Sequence, residues 1–195
     1  LEYIPYNYEL EFLKNLNEKS SSSVVKRIDS SSSLSGDYLP ANLVDGSYFT
    51  VWAEGAAGNG EGEWIEAEFR DGAGVTTVAI ANGFWKTKDL YKKNSRIKKL
   101  QIDVYGKRKD SKGGSFSYSR TISLQDMKGF IPVDVNEWRG RMIDREPITE
   151  KRVDVLVGPD EFDYYYELTR VRITVKEVYP GTKYNDTCVT EFFAF

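Results

Sequence analysis

The segment around Asp45 carries the kinds of oxygen atom that a calcium ion requires. It contains the dipeptide Asp45-Gly46, which is typical of a turn because glycine tolerates positive φ and aspartate bonds the following backbone. Calcium prefers about six to eight hard oxygen ligands, and a tight loop supplies carboxylate, hydroxyl and carbonyl oxygens together. A second carboxylate must come from elsewhere in the chain to balance the charge. These residues predict a calcium loop, and the alternative is an ordinary Asp-Gly turn.

A second set of residues is suited to binding a sugar. Three segments, 52–64, 82–94 and 178–188, are rich in Gly, Asn and aromatic residues. If they meet at one end of the fold, their amides and charged groups would bond hydroxyls, and their rings would stack on C–H faces. The alternative is that the same residues only build the loops. The candidate ligand-binding residues are Glu54, Asn82, Trp85, Tyr91, Asn94, Lys183, Tyr184, Asn185 and Asp186.

Composition excludes several classes of chemistry. The chain has no histidine, so Ser-His-Asp and Cys-His nucleophile pairs and the usual zinc sites are excluded. Its single cysteine, Cys188, forms no intrachain disulfide and is interpreted as a buried, inert thiol. The net charge of −3 does not favour a nucleic-acid partner. The lysine-rich run over residues 86–99 is interpreted as a solvated loop.

Paired carboxylates are the one feature that would support an enzyme. Glu61 and Glu63, or Asp160 and Glu161, are spaced closely enough to suggest glycosidase chemistry. Surrounding glycines and the i, i+2 spacing favour a solvated pair over a catalytic one. No catalytic residue is therefore assigned.

The elements that must position these residues are strands. Alternating or β-branched segments predict strands over residues 63–69, 75–80, 100–105, 116–124, 153–157, 164–178 and 189–195. Many short strands with turns between them predict an all-β jelly-roll β-sandwich. Residues 1–18 predict a short helix, followed by a serine-rich linker to residue 37 in which Val24 and Val25 could add a short strand. The sandwich is predicted over residues 38–195, with residues 126–152 as a long surface connection. No run of 18 apolar residues exists, so no membrane insertion is expected.

The motifs at the two ends of this region resemble a known family. Asp45-Gly46, Thr50 five residues after the aspartate and Trp52 two further on are similar to the first loop of the discoidin domains. These are also called coagulation factor 5/8 type C, or galactose-binding-like, domains. The ending Thr190-Glu191-Phe192 matches the family's small residue, glutamate and aromatic residue. The resemblance implies a jelly-roll sandwich of about eight main strands that holds one calcium between this loop and the last strand.

Each implied calcium ligand has a counterpart in this sequence. The implied ligands are of three kinds: residues that supply a backbone carbonyl, residues that supply a carboxylate, and one threonine that supplies both its carbonyl and its hydroxyl. These ligands are Asn42, Ser47 and Thr190 through their carbonyls, Asp45 and Glu191 through their carboxylates, and Thr50 through both oxygens. The resemblance implies a structural role for this calcium rather than a catalytic one.

Three further strings narrow the resemblance to a subgroup. Residues 52–55, 62–65 and 179–188 are similar to the glycan-binding domain attached to some secreted NAD-glycohydrolase toxins and to domains of bacterial surface proteins. The enzyme half of such toxins has no counterpart here, so the resemblance implies binding without hydrolysis. It implies an extracytoplasmic bacterial protein whose partner is a glycan or a cell-surface protein. Adhesion to another protein through an N-terminally tethered domain remains the alternative.

Overall fold

Nine strands build two antiparallel sheets in the part of the chain that this computed structural model describes, residues 21–75, 77–108, 113–126, 130–134 and 166–194. The strands are β1 (Val25–Ser30), β2 (Trp52–Ala53), β3 (Trp64–Phe69), β4 (Thr77–Asn82), β5 (Arg96–Arg108), β6 (Ser115–Ser123), β7 (Phe130–Asp134), β8 (Tyr166–Tyr179) and β9 (Cys188–Ala194). One sheet has the order β1-β3-β8-β5-β6 and the other the order β2-β9-β4-β7. The predicted all-β sandwich is confirmed.

Helices contribute little to the described chain. Helix α1 spans Ser21–Val24, a 3-10 helix spans Pro40–Val44, and helix α2 spans Lys88–Lys93. The predicted helix over residues 1–18 and the predicted strand over residues 153–157 lie outside the described residues.

Alternation along the strands produces the core. In β3, Ile65, Ala67 and Phe69 are buried, whereas the intervening residues remain partly accessible. This period of two directs one face of the five-stranded sheet inward and leaves the other to solvent. The inward side chains pack against Val78 and Phe192 of the opposite sheet in one continuous apolar cluster.

Strand β9 is buried along its whole length. Phe192 faces the central core, and Phe193 belongs to a second cluster on the other side with Ala79, Ala81 and Trp85. Tyr48, from the loop that follows the 3-10 helix, packs on that cluster. Its ring stacks on the ring of Trp85, with the two ring centroids 5.9 Å apart. Loops therefore cover the outer face of the four-stranded sheet, which explains why the residues on both faces of β9 are buried.

Strand β1 lies within the segment that sequence reasoning assigned to a linker. It pairs with β3, and Ser30 lies opposite Ile65. The serines that follow are bound to the sandwich: Ser31 donates its backbone N–H to the Trp64 carbonyl at 3.0 Å, and Ser32 contacts Glu63 through its hydroxyl. Serine suggests a flexible linker because it buries little apolar area, but these hydroxyls have specific partners across the sheet edge.

Two further differences from the sequence prediction concern short elements. The lysine-rich run is not a loop throughout, because it contains α2 and the start of β5. The hydroxyl of Thr87 accepts a hydrogen bond from the Leu90 N–H at 3.1 Å and caps the first turn of α2. Strand β7 lies in the predicted surface connection and contains Pro132. A proline is tolerated there because β7 is the edge strand of its sheet.

Candidate functional site

The loop after the 3-10 helix is held by the carboxylate of Asp45. Its Oδ1 accepts the backbone N–H of Ser47 at 2.8 Å, and its Oδ2 accepts the hydroxyl of Thr50 at 2.8 Å. The hydroxyl of Ser47 in turn accepts the N–H of Phe49 at 3.2 Å. These bonds form the Asx-type turn that the sequence favoured and fix the loop in one conformation.

Glu191 is the second carboxylate at this loop. It lies on β9 and is 2% exposed. Its Oε1 accepts a hydrogen bond from the Gly46 N–H at 3.4 Å. Its Oε2 is buried and has no hydrogen-bond partner. Burial, with a contribution from the negative charge of Asp45, raises the pKa of Glu191 to about 9. A buried carboxylate oxygen without a partner, beside a second carboxylate, fits a site that receives a hard cation.

Two other predicted calcium ligands, Asn42 and Thr190, use their side chains for structure. The amide of Asn42 donates to the Val51 carbonyl at 2.9 Å and so anchors the loop. The buried Thr190 hydroxyl donates to the Gly83 carbonyl at 2.6 Å and accepts the Trp85 N–H at 2.9 Å. These bonds engage the Asn42 side-chain nitrogen and the Thr190 hydroxyl, whereas the resemblance implies the backbone carbonyls of the two residues as calcium ligands. The described residues contain no group of three or more Asp, Glu or Cys side chains suited to a metal.

Glu54 joins the loop after β2 to the start of β9. Its backbone N–H donates to the Thr187 carbonyl at 3.2 Å, and its Oε1 accepts the Thr187 N–H at 3.3 Å. Its Oε2 accepts the Ala56 N–H at 2.8 Å. The side chain is fully buried, and burial raises the pKa of Glu54 above its ordinary value. Glu54 therefore holds two loops together and is inaccessible to a ligand.

Asn82 is likewise structural. Its side-chain oxygen accepts the Ile97 N–H at 2.9 Å, and its side-chain nitrogen donates to the Ile97 carbonyl at 2.8 Å. Trp85 donates its indole N–H to the Asn82 carbonyl at 2.8 Å and is 8% exposed. Asn94 is 7% exposed and donates through its amide to the Leu90 carbonyl at 2.8 Å. These three predicted ligand residues fix the loops and present little surface.

The loop between β8 and β9 rests on the end of α2. The backbone N–H groups of Lys183 and Tyr184 donate to the Lys93 carbonyl at 3.2 and 2.8 Å. A Cβ on Gly181 would collide with the same carbonyl oxygen, so only glycine permits this approach. The loop presents Lys183, Tyr184 and Asn185 to solvent, with the Lys183 ammonium 5.0 Å from the Tyr184 ring centroid. Asp186 is half-buried.

A hydrogen-bonded arginine beneath this region had no sequence signal. Arg96 binds Asp126 through two nitrogens, at 2.8 and 2.9 Å, and donates to the Asn94 carbonyl at 2.8 Å. Its guanidinium lies 5.1 Å from the ring centroid of Tyr91. The Tyr91 hydroxyl is buried without a partner, and burial raises the pKa of Tyr91 to about 12. Because Arg96 and Asp126 lie far apart in sequence, no local spacing reveals the pair.

The three predicted loops therefore converge. Thr187 donates its hydroxyl to the Asn59 carbonyl at 2.7 Å, which adds the glycine-rich loop to the cluster formed by α2 and residues 180–187. Of the nine predicted ligand residues, the structure leaves Lys183, Tyr184 and Asn185 exposed. We call the surface of these three residues the tip surface.

This β-sandwich, with its first loop joined to its last strand, has the galactose-binding-like fold. A family model described as NAD glycohydrolase translocation F5/8 type C domain matches residues 19–194. The chain belongs to that family, so the resemblance found in the sequence is confirmed. No match was found among curated proteins.

Two solved structures show the same fold. One is chitosan-binding module 1 of a chitosanase/glucanase from Paenibacillus sp. IK-5, with TM-score 0.50 and 15% identity over 88% of this chain and 96% of that chain. The other contains the CBM32-1 and CBM32-2 domains of Clostridium perfringens ZmpB, with TM-score 0.50 and 14% identity over 99% of this chain and 39% of that chain. At such identities the likeness concerns the fold alone. Within the described ranges, no helix has the length and apolar character needed to cross a membrane.

Proposed function

We propose that this chain is a non-catalytic recognition module that binds a carbohydrate through loops at one end of a calcium-stabilised β-sandwich. The observation that carries the proposal is the tip surface. Buried bonds of Glu54 and Asn94 hold the surrounding loops, so Lys183, Tyr184 and Asn185 are exposed on a fixed backbone. Such preorganised hydrogen-bonding and stacking groups suit sugar recognition. Membership of the family and the likeness to a chitosan-binding module support the same function.

Calcium has a structural role in this proposal. The two carboxylates of Asp45 and Glu191 would hold the ion, with the hydroxyl of Thr50 and the carbonyls of Asn42, Ser47, Thr50 and Thr190 completing the donor set. The bound ion would neutralise both carboxylates. The unpartnered Oε2 of Glu191 supports this assignment, because a buried charged oxygen without a partner is costly.

The proposal includes no turnover of the bound sugar. Of the paired carboxylates, Glu63 accepts hydrogen bonds from the hydroxyls of Ser31 and Ser32, while Glu61 is exposed to solvent. Asp160 and Glu161 lie outside the described residues. A glutamate engaged by two serines at a sheet edge supports a structural role for Glu63.

Membership of the family supports a proposed location and a proposed partner. We place the domain outside the cytoplasm of a bacterium, where it recognises glycans, with a cell-surface protein as the alternative partner. Capture of one purified surface protein, together with no retention of any sugar, would favour that alternative.

A glycan array read with three proteins tests the proposed function. The wild-type protein is expected to bind a defined set of sugars on the array. Tyr184→Ala is expected to weaken its affinity for them about tenfold, which corresponds to about 1.4 kcal/mol of binding free energy. Lys176→Ala is the matched control, because Lys176 is an exposed lysine on β8 and does not belong to the tip surface. An array on which the wild-type protein retains no sugar would rule out the function.

A further inference from the structure

A groove lies between the segment that precedes the 3-10 helix and the loop that follows it. Its volume is about 450 Å³, within the range of about 300–1,000 Å³ that is typical of small-ligand sites. Its lining consists of residues 36–39, Asn42, residues 49–51, Phe84 and Lys86. None of the tip-surface residues lines it. We call it the Phe49 groove.

The rim of the Phe49 groove is unusually apolar for an exposed surface. Three large apolar side chains are classed as exposed in the described part of the chain: Phe49 at 71%, Leu39 at 50% and Tyr184 at 38%. The first two both belong to this groove. Leaving an aromatic ring so exposed is unfavourable for the isolated domain, so its position beside a groove indicates a contact surface.

The ring of Phe49 is presented on a fixed loop. Its own N–H is bonded to the Ser47 hydroxyl at 3.2 Å, and Thr50 on its other side donates to the Asp45 carboxylate at 2.8 Å. Beneath the groove, Tyr38 and Phe84 contact edge to face, with centroids 6.5 Å apart and an interplanar angle of 88°. Because the Phe49 loop and the Tyr38–Phe84 pair are already ordered, less conformational entropy of the protein is lost when a ligand binds.

The polar lining supplies opposite charges. Asp37 and Lys86 are both exposed, so a carboxylate acceptor and an ammonium donor line the groove together with its aromatic side chains. Aromatic faces together with a few such groups match the C–H faces and hydroxyls of a sugar ring. A purely apolar ligand would leave both charges unused, and an acidic or basic ligand would meet one like charge.

We propose that the Phe49 groove is a binding subsite for a neutral pyranose residue, with the ring of Phe49 stacked on the sugar and Asp37 and Lys86 bonding its hydroxyls. This inference rests on the proposed function and adds a site separate from the tip surface. It also couples binding to the calcium loop, since Asp45 and Thr50 hold the backbone on either side of Phe49.

Calorimetric titration tests the groove with the strongest sugar from an array of neutral galactosides and N-acetylgalactosaminides. Phe49→Ala is expected to weaken binding about tenfold or more with an unchanged melting temperature, since an exposed ring contributes little to stability. Asp37→Asn is expected to weaken binding more modestly, and Lys176→Ala to bind as wild type does.

The possible outcomes separate this inference from the proposed function. If wild type binds a sugar and Phe49→Ala binds it equally well while Tyr184→Ala does not, the groove is overturned and the tip surface stands. If no sugar binds the wild-type protein, both fail. Phosphatidylcholine–phosphatidylserine vesicles form the second arm. Vesicle binding lost in Phe49→Ala, with sugar binding intact, would overturn the sugar assignment in favour of a lipid surface.

Discussion

Gly46 donates its backbone N–H to Oε1 of Glu191 at 3.4 Å, across 145 positions of sequence. This contact joins the loop after the 3-10 helix to the last strand of the four-stranded sheet. The other oxygen of the same carboxylate is buried and has no partner. The contact that joins the two ends of the fold is thus incomplete without a proton or a cation, so its strength should depend on pH and on the cations present.

Calcium is expected to raise the melting temperature of the chelator-treated protein. A ligand that binds only the native state stabilises it by about 2.7 kcal/mol when present at about 100 times its dissociation constant. Glu191→Gln should abolish this gain. Without calcium the variant should be at least as stable as wild type, because the wild-type carboxyl must be buried either charged or protonated well above its ordinary pKa, whereas the amide is neutral at every pH. Glu61→Gln, at an exposed glutamate, is the control. A wild-type melting curve that calcium does not move would refute the metal site.

Asn82→Ala is expected to lower the free energy of unfolding by about 2–3 kcal/mol. The substitution leaves the N–H and the carbonyl of Ile97 without their buried partner, and an unsatisfied buried group costs about 1–3 kcal/mol. Asn185→Ala, at an exposed position, should change stability by less than about 0.5 kcal/mol. Urea denaturation of both variants makes the comparison, and equal losses would contradict the role assigned to Asn82.

Glu54 should make stability depend on pH in a definite direction. Its folded pKa is raised above the ordinary value of 4.5, chiefly by burial, so the folded state retains the proton over a pH range in which the unfolded chain has lost it. The resulting stabilisation is fully present below pH 4.5 and is lost as pH rises through the folded pKa.

Comparison with Glu54→Gln isolates this effect. The difference in unfolding free energy, wild type minus variant, should decrease as pH rises above 4.5. Its slope is at most about 1.4 kcal/mol per pH unit. Urea denaturation series between about pH 4 and pH 8 measure the difference. Parallel curves for the two proteins would show that Glu54 titrates as it does in the unfolded chain.

Gly181→Ala should displace the loop between β8 and β9. The added Cβ would meet the Lys93 carbonyl oxygen, and such overpacking typically costs about 1–3 kcal/mol. Sugar binding at the tip surface should fall with it, since Lys183 and Tyr184 depend on that backbone. Gly72→Ala introduces a strained positive φ in open space and should cost less, about 1 kcal/mol, without affecting binding. If the two variants lose equal stability and neither loses binding, the loop is not held in this way.

The strands were predictable where a local period exists. β3, β5 and β8 alternate along their length, and the pattern alone identifies which face enters the core. β7 was missed, and β1 was indicated only by Val24 and Val25 at its start, for a different reason. Their assignment depends on partners across the sheet, because serines beside β1 suggest a linker and Pro132 argues against a strand in β7.

The site was predictable at the level of loops and much less at the level of side chains. Sequence reasoning brought Asp45 together with Glu191, and the structure places Gly46 within hydrogen-bond reach of that glutamate. It also listed Glu54 and Asn82 as ligand contacts, and both are buried in bonds to the backbone. Residue type alone does not separate these roles, since an amide or carboxylate binds a peptide group as readily as a hydroxyl. Phe49 was overlooked because an exposed aromatic looks like a core residue in sequence.

Equilibrium titration of the calcium-loaded protein with its best array sugar, followed by mass spectrometry of the recovered sugar, gives the clearest result. The protein is expected to bind that sugar saturably and to return it with its mass unchanged after prolonged incubation. Absence of saturable binding, or recovery of a cleaved sugar, would contradict a non-catalytic glycan-binding module.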